Sequence, residues 1–143
     1  MGRTFTNITD AAFEEIMTPR GESLRQLDLS GAHLGVRIEE LPPGGTSSIH
    51  HYHTLEEEHV LVLEGSATLH LGSDQHELRD GDHVWFAAGE PVAHHIENRS
   101  SGKFKFLVFG ERNPADTVFY PNGPVMMVKA LGGMLFTYEE RRP

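Results

Sequence analysis

The chain has no cysteine in its 143 residues. That removes disulfides, thiolate metal ligands and cysteine nucleophiles together. Long apolar runs are missing too: the longest, Val84 to Ala88, falls far short of the ~20 residues that cross a bilayer. The opening Met1 to Asn7 has no apolar signal core, so a soluble, cytoplasmic protein is expected. Positive charge is scarce: 12 basic residues face 21 acidic ones, for a net charge of −9, and Arg141-Arg142 is the only basic doublet. This excess opposes phosphate backbones and anionic lipid, so neither nucleic acid nor membrane is an expected partner. No Gly-x-Ser-x-Gly elbow, phosphate loop, dinucleotide fingerprint or His-Glu-x-x-His helix occurs. Serine-hydrolase and nucleotide chemistry therefore have no residues to act through.

Apolar residues make up 38% of the chain, enough for one core at this length. Asp10 is placed to cap a short N-terminal helix with Phe13, Ile16 and Met17 on one face, stopped by Pro19 and Gly21. From there the apolar period becomes two. Leu34, Val36 and Ile38 alternate with polar or small residues, as do Ala67, Leu69 and Leu71, and Phe104, Phe106 and Val108. Pro42 to Gly45, Gly72-Ser73-Asp74 and Asp80-Gly81 mark turns. The run Val84 to Phe86 and the segments Val125 to Val128 and Met134 to Tyr138 complete the strands. Many short strands and one helix predict an all-β sandwich or barrel in a single domain. The chain divides into an N-terminal arm (1–31), a core (32–112) and a C-terminal extension (113–143). Apolar residues in that extension, Phe119, Tyr120, Met126, Leu135 and Phe136 among them, are expected to lie outside the core and to make the chain a homodimer.

Histidine is the abundant residue. There are ten, seven of them between His50 and His83 and two more at His94 and His95. On a strand, residues i and i+2 share a face, so His51 and His53 point together and are able to share one ion. Glu58, just beyond a short turn, is placed to close over the same point. Imidazole and carboxylate together suit borderline and harder divalent ions.

Gly45, five residues, His51-x-His53, four residues, Glu58, six residues and Gly65 resemble the first motif of the cupin superfamily. Gly81, five residues, Ala87-Ala88-Gly89, then His94, three residues and Asn98 resemble the second. Ala87 stands where proline is usual, and the step from Gly89 to His94 is longer than usual. Leu41 to Gly44, the Glu56 to Gly65 stretch and Phe119 to Asn122 are similar to the small uncharacterised bacterial single-domain cupins. The resemblance implies a jelly-roll β-barrel holding one divalent transition metal per chain (iron, manganese, zinc or nickel) through His51, His53, Glu58 and His94. It further implies a metal-dependent enzyme acting on a small organic molecule, by dioxygenase, decarboxylase, isomerase or lyase chemistry. A non-catalytic sensor or carrier of a metal or small molecule is the alternative that this fold also hosts. The residue patterns name no proton-transfer group.

His94 and His95 are adjacent, so only one faces the interior of a regular strand. Placing His94 inside also puts Ile96 inside and leaves His95 and Glu97 outside together. Placing His95 inside would bury Glu97. A bulge in the lengthened approach, Gly89 to Ala93, would exchange the two faces. Strand alternation turns His50 and His59 away from the site and gives His70, His76 and His83 surface or cross-strand roles. Glu56 and Glu57 read as a solvated turn, with Glu57 a substitute ligand if the register shifts by one. Trp85 reads as core, and Met126, Met127 and Met134 as apolar filler.

Overall fold

Period-two alternation produces antiparallel strands throughout the computed structural model, which describes residues 4–17 and 23–141. Along the chain these are β1 (Glu14–Met17), β2 (Ser23–Asp28), β3 (Leu34–Leu41), β4 (Tyr52–His53), β5 (Glu58–Glu64), β6 (Ala67–Leu71) and β7 (Asp74–Leu78). There follow β8 (His83–Phe86), β9 (His94–Glu97), β10 (Phe104–Glu111), β11 (Thr117–Tyr120), β12 (Val125–Val128) and β13 (Met134–Thr137). A single 3₁₀ turn, Lys129–Leu131, is the only helical element among the described residues. The strands form sheets of six (β1-β2-β3-β10-β5-β8), four (β13-β12-β11-β4) and three (β7-β6-β9), with every pair antiparallel. All three sheets contribute walls to one cavity, in the jelly-roll arrangement.

The expected N-terminal helix is instead strand β1, paired from Glu14 to Met17 with Gln26 to Ser23 of β2. The apolar stripe at Phe13, Ile16 and Met17 spans barely more than one turn, too short for a helix to repay its nucleation. The open edge of β2 offers backbone partners at once, and Ile16 packs on the core from there. Asp10 is no cap. Asn7 makes the local turn, its Oδ1 accepting from Thr9 N at 2.9 Å and its carbonyl from Ala11 N at 3.1 Å. Pro19 and Gly21 lie outside the described residues.

Core packing is centred on Leu41, Val60, Val62, Phe104 and Phe106, all nearly solvent-free. The segments expected outside the core join it. Leu24 of β2 is buried in the main cluster, while Asp116 and Val118 are buried beside β4, which pairs with β11. Two glycines permit the close approach of β5 to β10, one at each end. Gly65 has φ +94°, and a Cβ there would lie 2.4 Å from Lys103 O. At Gly110, opposite Glu58, a Cβ would lie 2.3 Å from Glu57 O. Asn98 is fully buried and ties two segments together, donating Nδ2–H to Leu41 O (3.0 Å) and Gly102 O (2.8 Å).

Candidate metal centre

His51 enters the cavity from a bridge to His94, the two backbones exchanging hydrogen bonds of 3.2 and 2.9 Å. His53 follows on β4, on the same face, with imidazole centroids 5.2 Å apart. Glu58 opens β5. Nitrogen and carboxylate atoms of His51, His53 and Glu58 lie within 4.8 Å of one another. His94 comes from β9 and approaches through Glu58, Nε2 to Oε1 3.4 Å, with its ring 4.7 Å from that of His51 and stacked at 3.5 Å on Phe86. The strand register is the one expected of a regular β9. His94 and Ile96 are buried and inward, whereas His95 meets His50 (Nδ1 to Nδ1 2.9 Å) and stacks on His70. His59 also turns away, stacking on Phe109 and His83.

The hydrogen bonds around the trio decide which nitrogen is free. His51 Nδ1 lies 2.6 Å from Ile49 O, a carbonyl that only accepts, so Nδ1 carries the proton. His53 Nδ1 donates to Asp116 Oδ2 at 2.7 Å. Asp116, fully buried, also accepts from the backbone N–H groups of Thr54 (3.1 Å) and Leu55 (2.8 Å). Both imidazoles therefore keep an Nε2 lone pair for the cavity, the tautomer a metal ligand needs. His94 Nδ1 is buried without a hydrogen-bond partner among the described residues, so this ring's only polar contact is on the Glu58 side.

Charge within the site is arranged for a cation. Burial, then the neighbouring His94, push the His51 imidazole down to about 4, so it is neutral at physiological pH. Burial alone would raise the Glu58 carboxyl, but the hydrogen bond from His94 and the surrounding histidines hold it at about 2. A neutral imidazole beside an ionised carboxylate is a deprotonated ligand set. The residues present fit a divalent ion.

Glu56 is not a solvated turn residue: it is buried, 3.7 Å from His53 Nδ1, and held by Lys129 Nζ at 2.6 and 2.7 Å and Asn113 N at 2.9 Å. Its partner lies 73 positions along the chain, so local sequence carried no sign of the pair. Trp85 is not core: it is 59% exposed and donates Nε1–H to Glu57 Oε2 at 3.2 Å. The run Val84 to Phe86 does not reveal which members face in; on β8 Phe86 is buried and Val84 packs on the core, which leaves Trp85 on the other face. Asp116, Glu56 and Lys129 are the supports that sequence reading missed, and Asp116 gave no signal beyond a turn after Asn113-Pro114.

The cavity measures about 350 Å³. Besides the four residues above, its walls include Arg37 and Glu39 of β3, Arg112, Tyr120 of β11 and Lys129. That is the small end of ligand pockets, suited to a metabolite rather than a polymer.

A family model for the cupin domain matches residues 37–110. An uncharacterized protein of Methanocaldococcus jannaschii is 29% identical over 94 residues, covering 64% of this chain and 74% of that one. The solved structure of a cupin-superfamily sugar phosphate isomerase from Silicibacter pomeroyi is 32% identical, with TM-score 0.75 over 80% of this chain and 76% of that chain. A structure from Acidithiobacillus ferrooxidans, provisionally assigned as a sugar phosphate isomerase, superposes with TM-score 0.85 at 28% identity, over 95% of this chain and 93% of that one.

Proposed function

The chain belongs to the cupin superfamily, and from that membership we propose that it is a divalent-metal-dependent enzyme of the isomerase type, acting on a small phosphorylated sugar. The observation that carries this reading is the convergence of His51, His53, Glu58 and His94 on one cavity, with the Nδ1 atoms of His51 and His53 already engaged elsewhere. In this reading those four residues hold one ion, with Asp116 orienting His53. An ion so held polarises a substrate carbonyl or hydroxyl. The chain's own part is to bind the substrate in a pocket of small-metabolite size and to exclude bulk water from it. Two relatives above 25% identity carry a sugar phosphate isomerase assignment, which favours isomerisation over oxidation, decarboxylation or elimination.

The proposal includes a homodimer. β13 is an edge strand of the four-stranded sheet, and Met134, Leu135 and Phe136 on it are exposed. Pairing with a second copy would satisfy that edge and cover those side chains.

The direct test is elemental analysis of protein purified without a metal-affinity tag, followed by assay of aldose and ketose phosphates with that metal restored. One equivalent of a transition metal and interconversion of an aldose–ketose pair are the expected results. Metal-free protein that takes up no added ion would end this reading.

A further inference from the structure

Strand β3 carries an unexpected inner face. Gly35, Arg37 and Glu39, each two residues apart, all line the cavity that His51, His53 and Glu58 enter. Glu39 is only 6% exposed. A carboxylate removed from water is costly, and an apolar side chain would close a β-barrel wall equally well. Arg37 Nε donates to Glu39 Oε1 at 3.1 Å, so the carboxylate is held by an arginine that lines the same cavity. Resting on the isomerase reading above, we infer that Glu39 is the proton-carrying residue of this cavity, taking a proton from the substrate carbon beside the carbonyl and returning it to the neighbouring carbon.

The step is redox-neutral and needs no co-reactant. The Glu39 carboxylate accepts the proton, and the C–H electron pair becomes the C=C bond of an enediolate as the carbonyl π pair moves to oxygen. The hydroxyl proton on the neighbouring oxygen passes to the new oxyanion, and the carboxylic acid gives its proton to the adjacent carbon, which restores a carbonyl one position along and regenerates the carboxylate.

The groups facing Glu39 support this role. Burial raises its carboxyl from the usual range and Glu58 of β5 raises it further, while Arg37 opposes both. Arg112 and Asp28, of opposite charge, line a second hollow that Arg37 and Glu39 also line. The other cavity candidates are less suited. Glu56 is consumed by Lys129 and the backbone N–H of Asn113. Burial raises the Tyr120 phenol further, so it keeps its proton at neutral pH and is no base.

The test uses the full chain loaded with Mn²⁺ and offered three- to six-carbon aldose and ketose phosphates in D₂O. Loss of the C–H signal beside the carbonyl is followed by proton NMR. Glu39→Gln is expected to keep wild-type metal stoichiometry and KM while exchange falls by roughly 10²–10⁴-fold. Glu39→Asp, which retains a carboxylate, is expected to recover part of the rate. Exchange at the wild-type rate in Glu39→Gln overturns the inference and leaves the metal-enzyme reading intact. Loss of metal in that variant also overturns it, by making Glu39 a structural support. Tyr120→Phe losing exchange while Glu39→Gln keeps it would transfer the role to Tyr120. Metal-loaded wild type that exchanges none of these compounds removes the isomerase reading, and the role of Glu39 with it.

Discussion

His51 is held neutral by its surroundings, and this makes the metal-stripped protein sensitive to acid. Folded, its imidazole takes a proton at about 4; unfolded, near 6.5. Between those values the unfolded chain holds the extra proton, so stability is fully present above the unfolded value and falls as pH drops from 6.5 to 4. Glu58 repeats the pattern lower, its contribution lost as pH falls from 4.5 toward 2. Urea titrations of chelator-treated protein should show the upper decline, and His51→Gln should shrink it, leaving the share of His50, whose imidazole burial also pushes down. With metal present, His51→Ala plus His53→Ala should abolish stoichiometric binding by elemental analysis while far-UV circular dichroism stays unchanged. His94→Ala should weaken binding and His95→Ala should leave it near wild type, since only His94 faces Glu58. The reverse order would place the ion on the other side of β9.

At the scale of elements, the site depends on strands that meet from distant parts of the chain. β10 can lie against the start of β5 because position 110 has no side chain. Gly110→Ala would push a methyl into Glu57 O, and a loss of ~1–3 kcal/mol in denaturant midpoint analysis is expected. Metal occupancy should fall with it, because the displaced backbone is that of Glu58. The extension beyond Asn113 matters equally. Asp116 fixes the tautomer of His53, so Asp116→Ala should lower metal affinity about 10–100-fold by competition with a chelating dye. Lys129→Met leaves Glu56 buried without its cation, and a loss of about 2 kcal/mol is expected from removing a charge-assisted hydrogen-bond partner.

For the whole molecule, the exposed sheet edges bear on assembly. Unpaired β13 at one sheet edge and β1 at another leave Leu135 (65% exposed) and Met17 (66% exposed) in water. Light scattering at micromolar concentration should return the mass of two chains. Replacing Leu135 and Phe136 by lysine should return that of one without loss of secondary structure. A monomeric wild type would refute the dimer. No helix among the described residues is long and apolar enough to cross a membrane.

Local patterns located β3, β6, β8, β10, β12 and β13, and turn residues located the hairpin at Gly72 to Asp74, but β2, β7 and β11 were not read from them. Period-two alternation is a property of adjacent residues and needs no knowledge of the partner strand. The same reasoning put His51 and His53 on one face and turned His94 inward and His95 outward. Short-range pattern failed where the competing choice was tertiary. Phe13 to Met17 became a strand because the edge of β2 was there to receive it, and the Val84 to Phe86 run left Trp85 outside because sheet packing selected Phe86. Glu56, Asp116 and Lys129 gained their roles only when β11 paired with β4 and brought the extension to the histidines. Glu39 was unreadable for the same reason. Alternation places it on the polar face of an ordinary surface strand, and only closure of three sheets around β3 turns that face into the wall of a cavity.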